Sequence, residues 1–345
     1  MKKITKLLLI SSITFGAIFT TSCDDFMSRV KNAGKEDDSG NTDNPHEDPG
    51  TQSDDPVNPD PQPDDPVTPD PQPGDSSKNP DYSYLMGNNK IKPYRDLDYY
   101  APCKGLKGAA LKDALHNIIK GHTSYSYSSL NSYMLKTDVD PDNSNNIILT
   151  YQGSVKKTTS FNKEHTWAKS KGNFGETQPT GTDMHHLRPC NSNLNSTRSN
   201  YDFAEISHTS ANSVANLSWA TSDMTGNYKT DGYFEPKDEF KGDIARMIFY
   251  MATRYDTGDT YDLEVSGEIP SGYRNFTSGA KGKHGNFKYL YKWATSGQDP
   301  VSNFEMNRNN IIDKDYQHNR NPFIDHPEFI IMIYDESYDG PGALM

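Results

Sequence analysis

Three short segments near the middle of the chain are rich in residue types that bind metal ions and phosphates. Glu164 and His165 are adjacent in "FNKEHTWAKS", "TDMHHLRP" begins at Thr182, and "NLNSTRSNY" begins at Asn193. Carboxylate and amide oxygens are hard ligands that suit Mg²⁺ or Ca²⁺ rather than zinc. A histidine near its unperturbed pKa accepts a proton from water at neutral pH. The segments therefore predict a site with Glu164 and Asn195 as metal ligands and His165 as base.

Hydrolysis of a phosphodiester needs this set of groups. A base must activate water, and positive charge must stabilise the phosphate and the leaving oxygen. Arg198 follows Asn195 by three residues, so on a helix the two share a face and the guanidinium could bind a phosphate bidentately. His185 is predicted to support the site, and His186 is a weaker candidate. Arg198 could equally pair with a carboxylate, and adjacent histidines are often one core residue and one exposed residue.

The periodicity of apolar residues predicts the elements that surround these segments. Ala109–His122 has the pattern of an amphipathic helix, and Lys237–Tyr255 has the strongest helical pattern in the chain. "NNIILTYQG" predicts a buried strand that ends at Gly153, with "SVKKTTSF" as its hairpin partner. "NFKYLYKWATSG" predicts a further helix that ends at Gly297. The turn-rich stretch Asp256–Gly285 is predicted to be a surface excursion.

The candidate residues themselves are expected at the ends of short elements. Asn162–Trp167 is predicted to close a strand, Met184–Leu187 to form a second short strand, and Asn193–Ile206 to open a helix or a helical turn. Neighbouring side chains on a strand point to opposite faces, so one of Glu164 and His165 could hold a metal while the other faces a substrate bound to that metal. Alternatively, irregular backbone at the strand end would let both converge on one cleft. The predicted fold class is α+β, a single mixed domain over residues 81–345.

The first residues have the pattern of an export signal. Three lysines among the first six residues precede the mostly apolar run Leu7–Phe19, which is too short to span a bilayer comfortably. Small residues then precede Cys23. Residues 1–22 resemble a bacterial lipoprotein signal, which would place a lipid on Cys23 and attach the exported chain to a membrane. Thr20 stands where a larger aliphatic residue is usual, so a plain secretory signal is the alternative.

Residues 23–80 are predicted to be a disordered tether. "DDPVNPDPQP" from Asp54 recurs as "DDPVTPDPQP" from Asp64, and proline with repelling aspartates cannot pack a core. Residues 24–80 hold 15 acidic and 4 basic side chains, so only −4 of the net charge of −12 falls on residues 81–345. The acidic composition therefore does not exclude a nucleic-acid partner for the folded part.

Two further cysteines, Cys103 and Cys190, remain in a chain with an export signal. Disulfides persist outside the cytoplasm, so a Cys103–Cys190 bridge is a hypothesis that the sequence leaves open. No spacing in the sequence pairs Cys190 with a base, so it is not a candidate nucleophile.

Taken together, the central segments resemble a known family. "FNKEHTWAKS … TDMHHLRPCNSNLNSTRSNYDFAEI" is similar to the signature of the bacterial endonuclease I family, exported non-specific nucleases with a ββα-metal (His-Me finger) core. "YYAPCKGLKGAALKDALHNIIKGH", "GYFEPKDEFKGDIARMIFYMATRY" and "QDPVSNFEMNRNNIIDKDYQHNRNPFIDHPEF" are also similar to the family. The resemblance extends from about Tyr99 to Tyr334 and does not include the tether.

The resemblance implies an endonuclease of DNA, with RNA left open as a substrate. His165 would be the general base, and Glu164 and Asn195 would hold one Mg²⁺, Ca²⁺ or Mn²⁺ ion. Some relatives have an arginine between the base and the second strand, where this chain has only Lys169 and Lys171. Asn319–Phe323 also matches the family and is expected to pack and brace the fold. A monomeric outer-membrane lipoprotein is expected, with exposure on the cell surface left open.

Two other functions compete with this interpretation. A zinc hydrolase could use His165, His185 and His186, although it would leave the carboxylate and amide pair without a role. A non-enzymatic surface lipoprotein that binds carbohydrate would suit the many Tyr and Trp residues, because aromatic rings stack on sugars, but it would leave the whole cluster unexplained.

Overall fold

The computed structural model describes residues 80–95, 97–256, 258–267 and 282–345. The predicted signal, Cys23 and almost all of the predicted tether lie outside these residues. The helices are α1 Gly108–Ile119, α2 Leu130–Thr137, α3 Lys169–Gly172, α4 Ser192–Arg198, α5 Lys241–Arg254, α6 Phe287–Thr295, α7 Asn303–Ile311, α8 Pro322–Asp325 and α9 Phe329–Tyr334. The strands are β1 Asn146–Leu149, β2 Gly153–Lys156, β3 Asn162–His165, β4 Leu187–Cys190, β5 Asp202–Phe203, β6 Tyr228–Thr230, β7 Tyr233–Glu235, β8 Leu263–Val265 and β9 Gly282–His284.

Helix α5 lies at the centre of the main core, as its apolar spacing predicts. All 14 of its residues are buried, and it packs against α1, α6 and β8. The helix starts at Lys241 rather than Lys237 because Asp238–Phe240 forms a 3-10 turn in front of it. Within the described residues, no helix has the length and apolar character that a membrane span needs.

The predicted hairpin next to the site is confirmed, with a shorter first strand. β1 and β2 are antiparallel, and Leu149 lies opposite Gly153. The first strand ends at Leu149 because the chain turns at once through Tyr151, whose φ is +70°, and Gly153, whose φ is +106°. Ile147 and Leu149 belong to a second core with residues of α2, β4 and the segment after α7.

Two strands and a helix form a ββα unit around the candidate residues. β3 and β4 are antiparallel, with Glu164 opposite Arg188. The chain then turns at Asn191, whose side chain caps α4 by accepting a hydrogen bond from the backbone N–H of Asn193. The predicted stretch Asn193–Ile206 does open with a helix, but α4 ends at Arg198 because the chain then enters the short strand β5.

The predicted strand over Met184–Leu187 is wrong, since β4 begins only at Leu187. The residues before it form a turn around Asp183. The Asp183 carbonyl accepts the N–H of Leu187, and its carboxylate accepts the N–H of His185. Local side-chain to backbone bonds of this kind compete with strand pairing, and Asp is prone to make them.

The predicted surface excursion over Asp256–Gly285 is also wrong in part. β8 and β9 lie in this stretch and pair in parallel, and Leu263, Val265 and His284 are buried. β8 packs against α5 and β9 against α3. The sequence pattern did not reveal these strands, because each is only three residues long. Residues 257 and 268–281 of this stretch lie outside the described residues.

The segment that follows α7 braces the fold, as expected. Asn319, Arg320 and Asn321 are fully buried. Arg320 donates to both carboxylate oxygens of Asp325, at 2.6 and 2.7 Å, and Asn321 caps α8. The described residues thus form a mixed arrangement of helices and small sheets, which confirms the α+β fold class.

The Cys103–Cys190 disulfide hypothesis is wrong, since both cysteines are free and buried. Cys103 lies in a 3-10 segment before α1, whereas the Cys190 thiol on β4 donates to the carbonyl of Thr150. Burial raises the pKa of Cys103 to about 12 and also raises the pKa of Cys190. Both thiols are therefore held in the protonated, unreactive form.

Labelling with a thiol reagent tests this assignment. Without reductant, we expect Cys103 and Cys190 to resist alkylation in the folded chain and to react fully in denaturant, as read by mass spectrometry. A chain that stays unlabelled at both positions after unfolding would contradict the free thiols.

Candidate active site

A cleft of about 650 Å³ opens beside the ββα unit. Glu164, His165 and Asn195, the three residues of the predicted metal and base set, all line it. The other lining residues come from β3, α3, α4 and the loops beside them, namely Tyr127, Phe161, Asn162, Lys163, Ala168, Lys169, Ser170, Arg198, Ser199 and Asn200. The structure therefore brings together residues that are about thirty positions apart in the chain.

His165 is fixed in orientation by its neighbours. Its Nε2 lies 3.0 Å from the carbonyl oxygen of Gly181. Because a carbonyl only accepts, Nε2 carries the proton and Nδ1 has the free lone pair. No described residue bonds to Nδ1. The ring of Tyr127 stacks on the imidazole, with centroids 5.7 Å apart and planes 13° apart.

The sequence prediction assumed that the pKa of His165 is unperturbed, and the structure corrects this assumption. Burial, with a smaller effect of the neighbouring His186, lowers the pKa of His165 to about 3. The imidazole is 6% exposed, so desolvation disfavours its cationic form. At neutral pH it is therefore a neutral ring whose one available nitrogen is a proton acceptor.

Glu164 is buried at the floor of the cleft beside a cation and a hydroxyl. Its Oε1 accepts a hydrogen bond from the Tyr151 hydroxyl at 2.8 Å and lies 3.4 Å from Nε of Arg198. Burial raises the pKa of Glu164, while Arg198 and Tyr151 act in the opposite direction. No described residue donates to Oε2, the second carboxylate oxygen, so this atom is the one that could bind a ligand.

Asn195 is the second predicted ligand, and its side chain is unengaged. It is half-buried on α4, and its side-chain amide makes no hydrogen bond to any described residue. A carboxylate oxygen and an amide oxygen that face one cleft are the donors that a hard divalent cation prefers, with waters completing its coordination. The residues present therefore fit one Mg²⁺-like ion, which Glu164 and Asn195 would hold.

Arg198 lines the cleft, but its guanidinium is not free to bind a phosphate bidentately, which corrects the sequence prediction. Its side chain is 1% exposed. Nη1 donates to the carbonyls of His165 and Ser199, and Nη2 donates to the carbonyl of Thr166 at 2.5 Å and to Nε2 of His284 at 2.8 Å. Both terminal nitrogens are thus used to hold the end of β3, so Arg198 positions the site.

His185 does not line the cleft, so the structure does not bring it to the predicted catalytic set. Its Nε2 bonds to the carbonyl of Asn319, and its ring lies 4.7 Å from that of Tyr250. His186 is also buried, with its Nε2 on the carbonyl of Thr180. Burial lowers the pKa of each imidazole to about 4. The two neutral rings pack the wall behind the cleft.

Two residues behind Arg198 were missed by the sequence analysis. His284 Nδ1 lies 2.7 Å from Oδ1 of Asp202. Since Arg198 donates to Nε2, the His284 proton is on Nδ1 and goes to the carboxylate. A polar chain therefore runs from Asp202 through His284 and Arg198 to Glu164. Asp202 and His284 lie 38 and 120 positions after Glu164 in the sequence, so no local pattern linked these two residues to the site.

Comparisons with known proteins agree with this site. A family model described as Endonuclease I matches residues 107–328, a range that includes Glu164, His165 and Asn195. The extracellular ribonuclease of Bacillus amyloliquefaciens is 46% identical over 253 residues, which cover 71% of this chain and 81% of the relative. The extracellular ribonuclease of Bacillus subtilis (strain 168) is 43% identical over 251 residues, 70% of this chain and 80% of the relative. With a family model over more than half of its length and relatives this similar, the chain belongs to the endonuclease I family and is a nuclease that hydrolyses phosphodiester bonds.

Proposed function

We propose that this protein is a metal-dependent, sequence-non-specific endonuclease that cleaves RNA as well as DNA. The observation that carries the proposal is the convergence in one cleft of three groups. These are the free Nδ1 of His165, the unengaged Oε2 of Glu164 and the unengaged amide of Asn195. A base and two hard oxygen ligands are the groups that hydrolysis of a phosphodiester by water requires.

His165 acts as the general base in this mechanism. Its Nε2–H is held by the Gly181 carbonyl, so Nδ1 accepts the proton of a water molecule in the cleft. The Gly181 carbonyl then stabilises the imidazolium that forms. Tyr127 restricts rotation of the ring. The base is thus preorganised, and little reorientation is needed when the proton is transferred.

Glu164 and Asn195 would hold a divalent ion, which would neutralise charge on the phosphate and on the leaving oxygen. Tyr151 and Arg198 fix the Glu164 carboxylate from behind, and the cap at Asn191 fixes the start of α4 that carries Asn195. Supporting contacts of this kind orient metal ligands and raise metal affinity.

The substrate range follows from the nucleophile. Water attacks the phosphorus and the bond from phosphorus to the leaving sugar oxygen breaks. The 2′-hydroxyl of RNA is not needed for this reaction, so the mechanism applies to DNA as well as to RNA. The names of the two Bacillus relatives, extracellular ribonucleases, support RNA as a substrate. They also support export, and we propose that the monomeric protein is then held at the outer membrane by a lipid on Cys23.

The ends of the RNA products test the proposal. Attack by water leaves linear phosphate ends, whereas attack by the 2′-hydroxyl leaves 2′,3′-cyclic phosphates. We expect mass spectrometry of a digested RNA oligonucleotide to show no cyclic phosphate, and cleavage of both RNA and plasmid DNA to stop with chelator and resume with Mg²⁺. Cyclic ends, or cleavage that chelator does not affect, would refute the mechanism.

The zinc-hydrolase alternative gains no support from the geometry. Among the residues that the structure describes, no three His, Cys, Asp or Glu side chains form a metal-binding group. The histidines it needs are directed at separate carbonyls, His165 at Gly181 and His185 at Asn319. The non-enzymatic alternative is excluded by membership of a nuclease family.

A further inference from the structure

Three cationic side chains line the cleft, and they differ in their counterions. Lys169 forms an ion pair with Glu176 at 2.8 Å, and Arg198 lies beside Glu164 with its terminal nitrogens on carbonyl oxygens. Lys163 has no carboxylate within ion-pair distance among the described residues. Of these three cations, Lys163 is therefore the one without a direct ion pair to a described carboxylate, and Glu176 acts on the pKa of Lys163 only from beyond ion-pair distance.

Neutral groups hold the Lys163 ammonium at the cleft. Nζ donates to the side-chain oxygen of Asn131 at 2.5 Å, and it lies 4.0 Å from the centroid of the Tyr127 ring. An amide oxygen and an aromatic face position a cation without cancelling its charge. An ammonium keeps three donors, and Asn131 uses only one of them. The group can therefore accept an anionic ligand without breaking an existing ion pair.

Lys163 also lies on the same side of β3 as the base. Residues two apart on a strand share a face, and Lys163 and His165 both contact the Tyr127 ring. The ammonium is 4.0 Å and the imidazole centroid 5.7 Å from the ring centroid. The Lys163 ammonium and the His165 imidazole centroid are therefore at most about 10 Å apart, so both can face one bound nucleic-acid strand.

We propose that Lys163 binds a backbone phosphate of the nucleic acid in this cleft. The inference rests on the proposed function and adds to it the residue that binds the substrate anion. It assigns that role to the residue before Glu164, rather than to Arg198, Lys169 or Lys171. Lys171 forms an ion pair with Asp202, with Nζ 3.1 Å from Oδ2.

Removal of the charge on Lys163 tests the inference. Lys163→Gln removes the charge but keeps a polar side chain with an N–H donor directed towards Asn131. We expect kcat/KM on an RNA or DNA oligonucleotide to fall at least about tenfold. We also expect the slope of log kcat/KM against log salt to become shallower by about 0.7 to 0.9, the value for one phosphate contact. Lys163→Arg should retain most of the activity.

Two controls separate this role from others. Lys156→Gln removes one charge from the exposed strand β2 and should leave kcat/KM near that of the wild type. Lys169→Gln should have a smaller effect than Lys163→Gln, because Glu176 already neutralises Lys169. If Lys163→Gln proves poorly folded by circular dichroism, Lys163→Met is measured in the same way.

The outcomes are distinct for the two proposals. Wild-type kcat/KM in Lys163→Gln, or a loss with an unchanged salt slope, would overturn the role of Lys163 and leave the base and metal ligands untouched. Failure of the proposed function would instead appear as cleavage by the wild-type protein in chelator. A lower rate together with a shallower slope supports the inference.

Discussion

Replacement of His165 by alanine is expected to reduce kcat on both plasmid DNA and RNA by roughly 10²–10⁴-fold, the range that a general base contributes. The reason is that Nδ1 of His165 is the unbonded basic nitrogen next to the candidate metal ligands. The reduced rate should persist at every Mg²⁺ concentration, because the variant keeps both Glu164 and Asn195. Single-turnover cleavage at saturating Mg²⁺ measures the effect directly.

The structure supplies a matched histidine control. His208 lies outside the cleft, its side chain is 55% exposed, and its ring stacks on Tyr228. His208→Ala should cleave at the wild-type rate. The His165→Ala chain should fold and bind Mn²⁺ as the wild type does in a calorimetric titration. Substantial cleavage by a folded His165→Ala protein would show that another group is the base.

The second large effect is expected for Glu164→Gln, which keeps the shape of the side chain and removes its charge. Changes to residues that only support a metal ligand cost about 10–100-fold in metal affinity or activity. For a direct ligand we therefore expect a loss of at least roughly 100-fold in Mg²⁺ affinity. In contrast to His165→Ala, the cleavage rate should recover in part as Mg²⁺ is raised. A Mg²⁺ titration of the rate distinguishes the two variants.

Tyr151→Phe is the control for Glu164→Gln. It removes the hydrogen bond to Oε1 but leaves the carboxylate in place, and the lost bond should cost about 1 kcal/mol of unfolding free energy. We expect a much smaller change in Mg²⁺ dependence than for Glu164→Gln. Equal Mg²⁺ requirements for Glu164→Gln and the wild-type protein would remove Glu164 from the proposed metal site.

The sequence alone predicted those features of the fold and the site whose signal lies within a short segment of the chain. The helical period of Lys237–Tyr255 located α5, since a buried helix repeats its apolar residues every turn. The adjacent Glu164 and His165, together with Asn195, were enough to locate the cleft, because strand pairing and a following helix bring such residues together. The predicted boundaries of strands were less accurate where a polar side chain bonds to nearby backbone and so competes with strand pairing, as Asp183 does before β4.

The partners of each charged side chain were decided by the tertiary structure. From its sequence position Arg198 was expected to bind a phosphate, yet its terminal nitrogens donate to His284, 86 residues away, and to three backbone carbonyls. Lys163 was not singled out in the sequence, and it keeps a charge without a direct ion pair because no carboxylate in the described part of the chain lies within ion-pair distance of it. By itself the sequence determined the chemical groups, their order and the family. Which cation is left free for a substrate depends on contacts between distant residues, and only the folded chain establishes them.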